Sequence, residues 1–158
     1  MTARSGHESV TATPGPAKTA AALLCAWLVP GAGHVILGRM WRGLFFFAIV
    51  MGSFGLGLAH DGKLALYTNQ DRVLSALQVI ANAGVGPADA IARSGVYGDA
   101  VYLRPETVDP RYKHVVDTWR ERQRSIVSIY GTAYLWTAGL MNILLLFDVW
   151  DIAVGRKD

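Results

Sequence analysis

His34 is the residue whose type and position best suit chemistry. Its imidazole follows Pro30-Gly31-Ala32-Gly33 directly, inside a stretch that carries no charge between Lys18 and Arg39. An ionisable group in an apolar segment, beside a break in the helix, is a functional candidate by default. Haem ligation would need a second histidine at similar depth. His60 lies seventeen residues past Gly43 on the next apolar segment, which separates the two imidazoles by ~20 Å along the helix direction. A shared cofactor is therefore not expected. A hydrogen bond from His34 to carbonyls freed by Pro30, or to the adjacent turn, is. Asp148 and Asp151 stand three apart and share a helical face. Paired carboxylates can do acid–base work, but the expectation here is structural. Arg39 or Arg42 should pair with Asp148 or Asp151 across a helix interface, lowering the cost of charge near lipid. Asn142 is the lone strong polar group in the last apolar run.

The remaining signals exclude more than they offer. A single cysteine, Cys25, rules out an internal disulfide framework and a cysteine-rich metal site. Ala22-Leu23-Leu24 before it puts a bulky leucine where a lipoprotein signal wants a small residue, so Cys25 reads as a buried or lipid-facing side chain. Gly31-Ala32-Gly33 and Gly84-Val85-Gly86 do not continue into Gly-Lys-Ser/Thr and are not phosphate loops. The net charge of +3 is scattered, without the concentrated basic patch that nucleic acid requires. No catalytic, metal-binding or cofactor-binding residue is assigned, and an enzyme is not expected.

The elements that must position these side chains follow from charge patterning. The chain has 158 residues, of which 52% are hydrophobic and 17% charged, against a usual ~25% charged for soluble domains. Charges are scarce in 19–60 and 126–147 and crowd into 61–125, which holds nine Lys/Arg and eight Asp/Glu. Hydrocarbon excludes charge, so this clustering is that of a membrane protein. Residues 1–18, rich in Ser, Thr, Gly and Pro, read as a disordered tail. The first apolar segment, 19–37, is interrupted at Pro30, where a helix must kink or break. It therefore spans as a kinked helix or re-enters. Gly38-Arg39-Met40-Trp41-Arg42-Gly43 is a polar turn, with Trp41 suited to the interface. From Gly43 to about Ala59 the chain is uncharged over ~25 Å of helix, enough for the hydrocarbon core. In 61–125, Leu64–Tyr67 and Val73–Ala83 have helical apolar spacing, Gly84 to Pro87 should end the second of these, and Arg111–Ser125 reads as a polar helix. These parts are expected to lie on the membrane surface or cap the hairpin. Ile126–Phe147 is uncharged over ~33 Å and is the clearest span.

Pro30-Gly31-Ala32-Gly33-His34, Leu37-Gly38-Arg39, Arg42-Gly43-Leu44 and Phe46 resemble the bacterial form of the two-transmembrane-helix hairpin domain. There a Pro-Gly-x-Gly-His break and a Gly-Arg turn join two short apolar helices. Tyr130-Gly131-Thr132, Ala138-Gly139-Leu140-x-Asn142 and Asp148-x-x-Asp151-Ile152-Ala153-x-Gly155-Arg156 extend the likeness to an uncharacterised family of small bacterial membrane proteins. The resemblance covers 20–60 and 130–157 and implies architecture, not mechanism. It marks Pro30, Gly31, Gly33, His34, Gly38, Arg39, Asn142, Asp148 and Asp151 as positions of interest.

The expected protein is all-α and membrane-embedded. It comprises a tail (1–18), a broken or kinked transmembrane hairpin (19–60), a helical surface-associated insert (61–125), and a third transmembrane helix with a charged C-terminus (126–158). The expected setting is the bacterial inner membrane, with the N-terminus and the insert cytoplasmic by the positive-inside rule. The expected partners are the lipid bilayer and other membrane protein subunits. The expected role is a non-enzymatic accessory or interaction subunit. The alternative is a small channel or transport component using His34, Asn142, Asp148 and Asp151 as a polar path.

Overall fold

The computed structural model describes residues 15–104 and 110–156. Within them the chain is helical: α1 (Pro16–Leu28), α2 (Ala32–Ile36), α3 (Met40–Ala59), α4 (Arg72–Ala83), α5 (Pro87–Tyr97), α6 (Lys113–Arg124) and α7 (Ser128–Ala153), with a 3-10 turn at Pro110–Tyr112. Residues 1–14 of the expected tail lie outside the described residues. Pro16, Ala17 and Lys18 belong to the first turn of α1, where proline is tolerated because that N–H has no helical acceptor.

The long helices α3 and α7, of 20 and 26 residues, form the frame. Among the described residues they are the two long and apolar enough to cross a membrane. They run antiparallel. Gly57, near the end of α3, packs against Gly131 and Leu135 near the start of α7. At their other ends Phe46 of α3 lies beside His34, which reaches Asp148 of α7. Glycine is needed in this seam. A Cβ on Gly131 would stand 2.5 Å from the His60 carbonyl oxygen and 2.6 Å from the Gly62 nitrogen.

The first apolar segment does not supply a third span. α1 has 13 residues, ~20 Å of helix against a hydrocarbon core of ~30 Å. Val29 is extended at φ −135° and ψ 112°, as the residue before a proline prefers. Gly31 then takes φ +81°, a left-handed conformation that costs glycine little. The five-residue α2 doubles back, so that Gly33 meets Ala22 and Ala26 of α1 and Val149 of α7. Three spans are expected from the sequence and two helices of membrane-crossing length are found, because residues 29–31 reverse the chain instead of kinking it.

That reversal also changes which ends lie together. Pro16, Thr19 and Leu23 at the start of α1 line one groove with Trp150, Ala153 and Val154 at the end of α7. The insert leaves the bundle at the opposite end, where α3 finishes and α7 begins. The N-terminal region and the insert, expected on one side, therefore sit at opposite ends of the bundle.

The insert is built into the core. Leu64 to Leu66 are buried in a non-helical segment, not in the helix their spacing suggests. Tyr67 forms an isolated parallel bridge with Leu103. Leu64, Val85, Tyr97 and Val115 join Val50, Phe54, Leu135 and Ala138 of the long helices in one apolar cluster. α4 lies against α7, with its Ala81 carbonyl directly over Gly139.

Candidate functional site

The site is the reversal at 29–36 and what it carries. Pro30 and the left-handed Gly31 set the turn, and the Gly31 backbone lies directly on that of Gly43 in α3. Any side chain at Gly31 would strike the Gly43 carbonyl. Gly38, at φ +84° with open space around it, closes the following turn through an N–H bond to the Val35 carbonyl of 3.0 Å. Here the requirement is backbone conformation alone. The Arg39 N–H bonds the His34 carbonyl at 2.8 Å, tying the second turn to α2.

Within this frame His34, third residue of α2, is fully buried. Its Nε2 lies 2.9 Å from Asp148 Oδ2, and the Asp148 side chain is 28% exposed. The imidazole ring sits 5.2 Å from Phe46, tilted by 53°. The expected hydrogen bond from His34 to carbonyls near Pro30 is replaced by this ion-pair geometry, 114 residues apart in sequence. A His–Asp contact of this kind places one hydrogen bond between the imidazole and a carboxylate oxygen, joining α2 to α7. His34 Nδ1 is buried with no protein hydrogen-bond partner.

The other sequence candidates are placed elsewhere. Arg39 and Arg42, expected to face Asp148 or Asp151, lie on the turn before α3 and on its first turn. Arg42 is exposed there, and Asp148 has His34 among its partners. Asp151 pairs with Arg156 at 3.7 Å on the surface, a contact of small energetic weight. Asn142 is buried and donates from Nδ2 to the Gly84 carbonyl at 2.8 Å. It thus holds the α4–α5 turn and not the His34 cluster. His60 bonds the Leu56 carbonyl at the far end of α3. Among the described residues no three His, Cys, Asp or Glu side chains gather as a metal site.

A second polar cluster escaped the sequence reading. Asp89 and Arg93 on α5 are both fully buried and joined at 2.8 Å. Arg93 Nη1 donates to the Ala65 and Val101 carbonyls at 2.8 and 2.9 Å, and its guanidinium lies 4.2 Å from the centre of the Tyr102 ring. The Tyr97 hydroxyl donates to the Leu64 carbonyl at 3.0 Å. Burial pushes this hydroxyl up to about 12, so it remains a donor throughout the physiological range. The available signal was the i, i+4 spacing of Asp89 and Arg93. It does not distinguish a solvated pair from a buried one.

Among the described residues the protein is all-helical, with two helices long and apolar enough to cross a membrane. The chain belongs to a family of unknown function (DUF6677), whose model matches residues 21–158. No curated protein and no solved structure matches it.

Proposed function

We propose that this chain is a non-enzymatic integral subunit of a bacterial cytoplasmic membrane, serving as a rigid anchor for other membrane proteins. The observation that carries the reading is the state of His34. The most suggestive ionisable group is fully buried, and its Nε2 is committed to Asp148. Asn142 and Asp151 are likewise engaged with Gly84 and Arg156. Polar groups used in this way hold helices together.

Exposed apolar surface supports the membrane setting. Trp41 is 84% exposed and Leu144 66%, and the apolar stretches of both long helices are mostly unburied. A soluble monomer rarely leaves such faces to water. The start of α1 and the end of α7 lie at one end of the bundle and the insert leaves from the other, and the Lys/Arg of 61–125 outside α5 favour a cytoplasmic insert end by the positive-inside rule. A C-terminal alkaline phosphatase fusion is then active, because that end lies outside the cytoplasm; an inactive fusion reverses the orientation.

The main test is purification from the native membrane in mild detergent. The expected result is a defined complex with other chains in fixed stoichiometry; a lone monomer overturns the proposal. His34→Leu removes the bond to Asp148 and is expected to cost about 1–2 kcal/mol of stability, lowering the yield of the complex. The unpartnered Nδ1 of His34 and Oδ1 of Asn142 favour one second reading, a small channel or transport component. Proteoliposomes that dissipate a pH gradient, with the leak abolished by His34→Leu, would select that reading instead.

A further inference from the structure

We infer that α4 and α5 form a second half-depth hairpin, inserted into the hydrocarbon from the end of the bundle opposite α1 and α2, with the outer face of α4 against lipid acyl chains. The inference rests on the membrane reading above and goes beyond it.

Depth is the first observation. α7 runs from Ser128 to Ala153, so its midpoint falls near Leu140. The last turn of α4 meets α7 there. The Ala81 carbonyl lies over Gly139, the Gly84 carbonyl accepts from Asn142, and Gly84 packs against Ile143. One residue pair further, Gly86 lies against the Trp27 carbonyl at the end of α1. The two helical hairpins thus meet tip to tip beside the middle of α7. α4 has 12 residues, ~18 Å of helix, a little over half a hydrocarbon core.

Charge is the second. From Val73 to Gly98 the sequence holds two charged residues, Asp89 and Arg93. Both are fully buried and paired with each other. The hairpin consequently offers no charge to its surroundings, which is the condition for entering a bilayer. The outer face of α4 presents Val73, Leu74, Leu77 and Ile80 at helical spacing, with Leu77 59% exposed, and α5 adds Ile91 at 72%. Charged residues resume before this stretch at Asp71-Arg72 and after it at Asp99. The apolar face therefore stops where the hairpin leaves the proposed hydrocarbon. The buried Asp89–Arg93 pair gains a purpose in this setting: it organises the loops around α5 without exposing an ion to lipid.

Nitroxide accessibility tests the inference. Single cysteines at Leu77, Asp71 and Leu144, made in a Cys25→Ala background, are spin-labelled in phosphatidylcholine vesicles and saturated against oxygen and a water-soluble nickel chelate. Oxygen concentrates in hydrocarbon and the chelate stays in water. The oxygen-to-nickel ratio at Leu77→Cys is expected to match that at Leu144→Cys within about twofold and to exceed that at Asp71→Cys by at least about threefold. A nickel preference at Leu77→Cys with an oxygen preference at Leu144→Cys overturns the inference and leaves the membrane reading intact. Shielding of Leu77→Cys from both reagents also overturns it, because protein and not lipid then covers the face. A nickel preference at Leu144→Cys overturns both.

Discussion

Arg93→Ala is expected to cost about 3–5 kcal/mol of folding stability, because it strands a buried charge. Asp89 is fully buried, and its carboxylate would lose its cation. The Ala65 and Val101 carbonyls would lose their donor together, since one Arg93 nitrogen serves both. These carbonyls belong to the two non-helical segments that meet at Tyr67 and Leu103. The loss should therefore be accompanied by local opening of the insert, seen as faster amide exchange at Tyr67 and Arg104. Arg93→Lys is not a rescue, because an ammonium cannot reproduce the fork that reaches Asp89 and the two carbonyls at once. Replacing both members, Asp89→Leu with Arg93→Met, should recover much of the loss, as apolar substitutes for buried ion pairs often do. Thermal unfolding in detergent measures each variant. An Arg93→Ala protein as stable as the parent would mean that the pair does not organise the insert.

The second large effect is at the first reversal. Gly31→Ala combines two penalties. A non-glycine residue at φ +81° carries about 1–3 kcal/mol of backbone strain. Its Cβ would also be driven into the Gly43 carbonyl, so α2 must separate from α3. Close-packed backbones do not absorb this, and overpacking adds about 1–3 kcal/mol more. Gly38→Ala is the internal control: its φ is +84°, but a Cβ there meets nothing within 4 Å. It should show the conformational part alone, about 1–2 kcal/mol. The difference between the two melting temperatures reports the crowding at the α2–α3 contact. Equal losses would show that the contact yields freely. Because His34 follows three residues later, Gly31→Ala should also disturb the bond to Asp148, which Gly38→Ala should not.

Much of the helical content was legible in the residues. The uncharged runs of α3 and α7 declare their length and apolar character without reference to anything else in the chain. Pro30 and Gly31 announce a break because proline removes a donor and glycine permits a positive φ, both local effects. Gly84 to Pro87 announces the end of α4 in the same way. Leu64–Tyr67 was misread because four residues show little more than one helical turn, too short to distinguish a helix from a buried non-helical segment. The partner of His34 was not legible for a related reason. Placing charges at the same end of a bundle does not say which of them fit together, and the buried imidazole that meets Asp148 is 114 residues away in the chain.

By itself, then, the amino-acid order determined that this protein is helical, that the segments forming α3 and α7 are apolar over membrane-crossing lengths, and that the first apolar segment breaks at Pro30. These are properties of neighbours in the chain: periodicity, charge density, proline and glycine. The tertiary structure alone decided the direction of the chain after Gly31, the pairing of His34 with Asp148, the burial of Asp89 with Arg93, and the meeting of two helical hairpins beside Gly139. Each of these depends on which backbones can approach closely and which polar groups are left facing one another once they do. That is settled by packing across long separations, where no local propensity reaches.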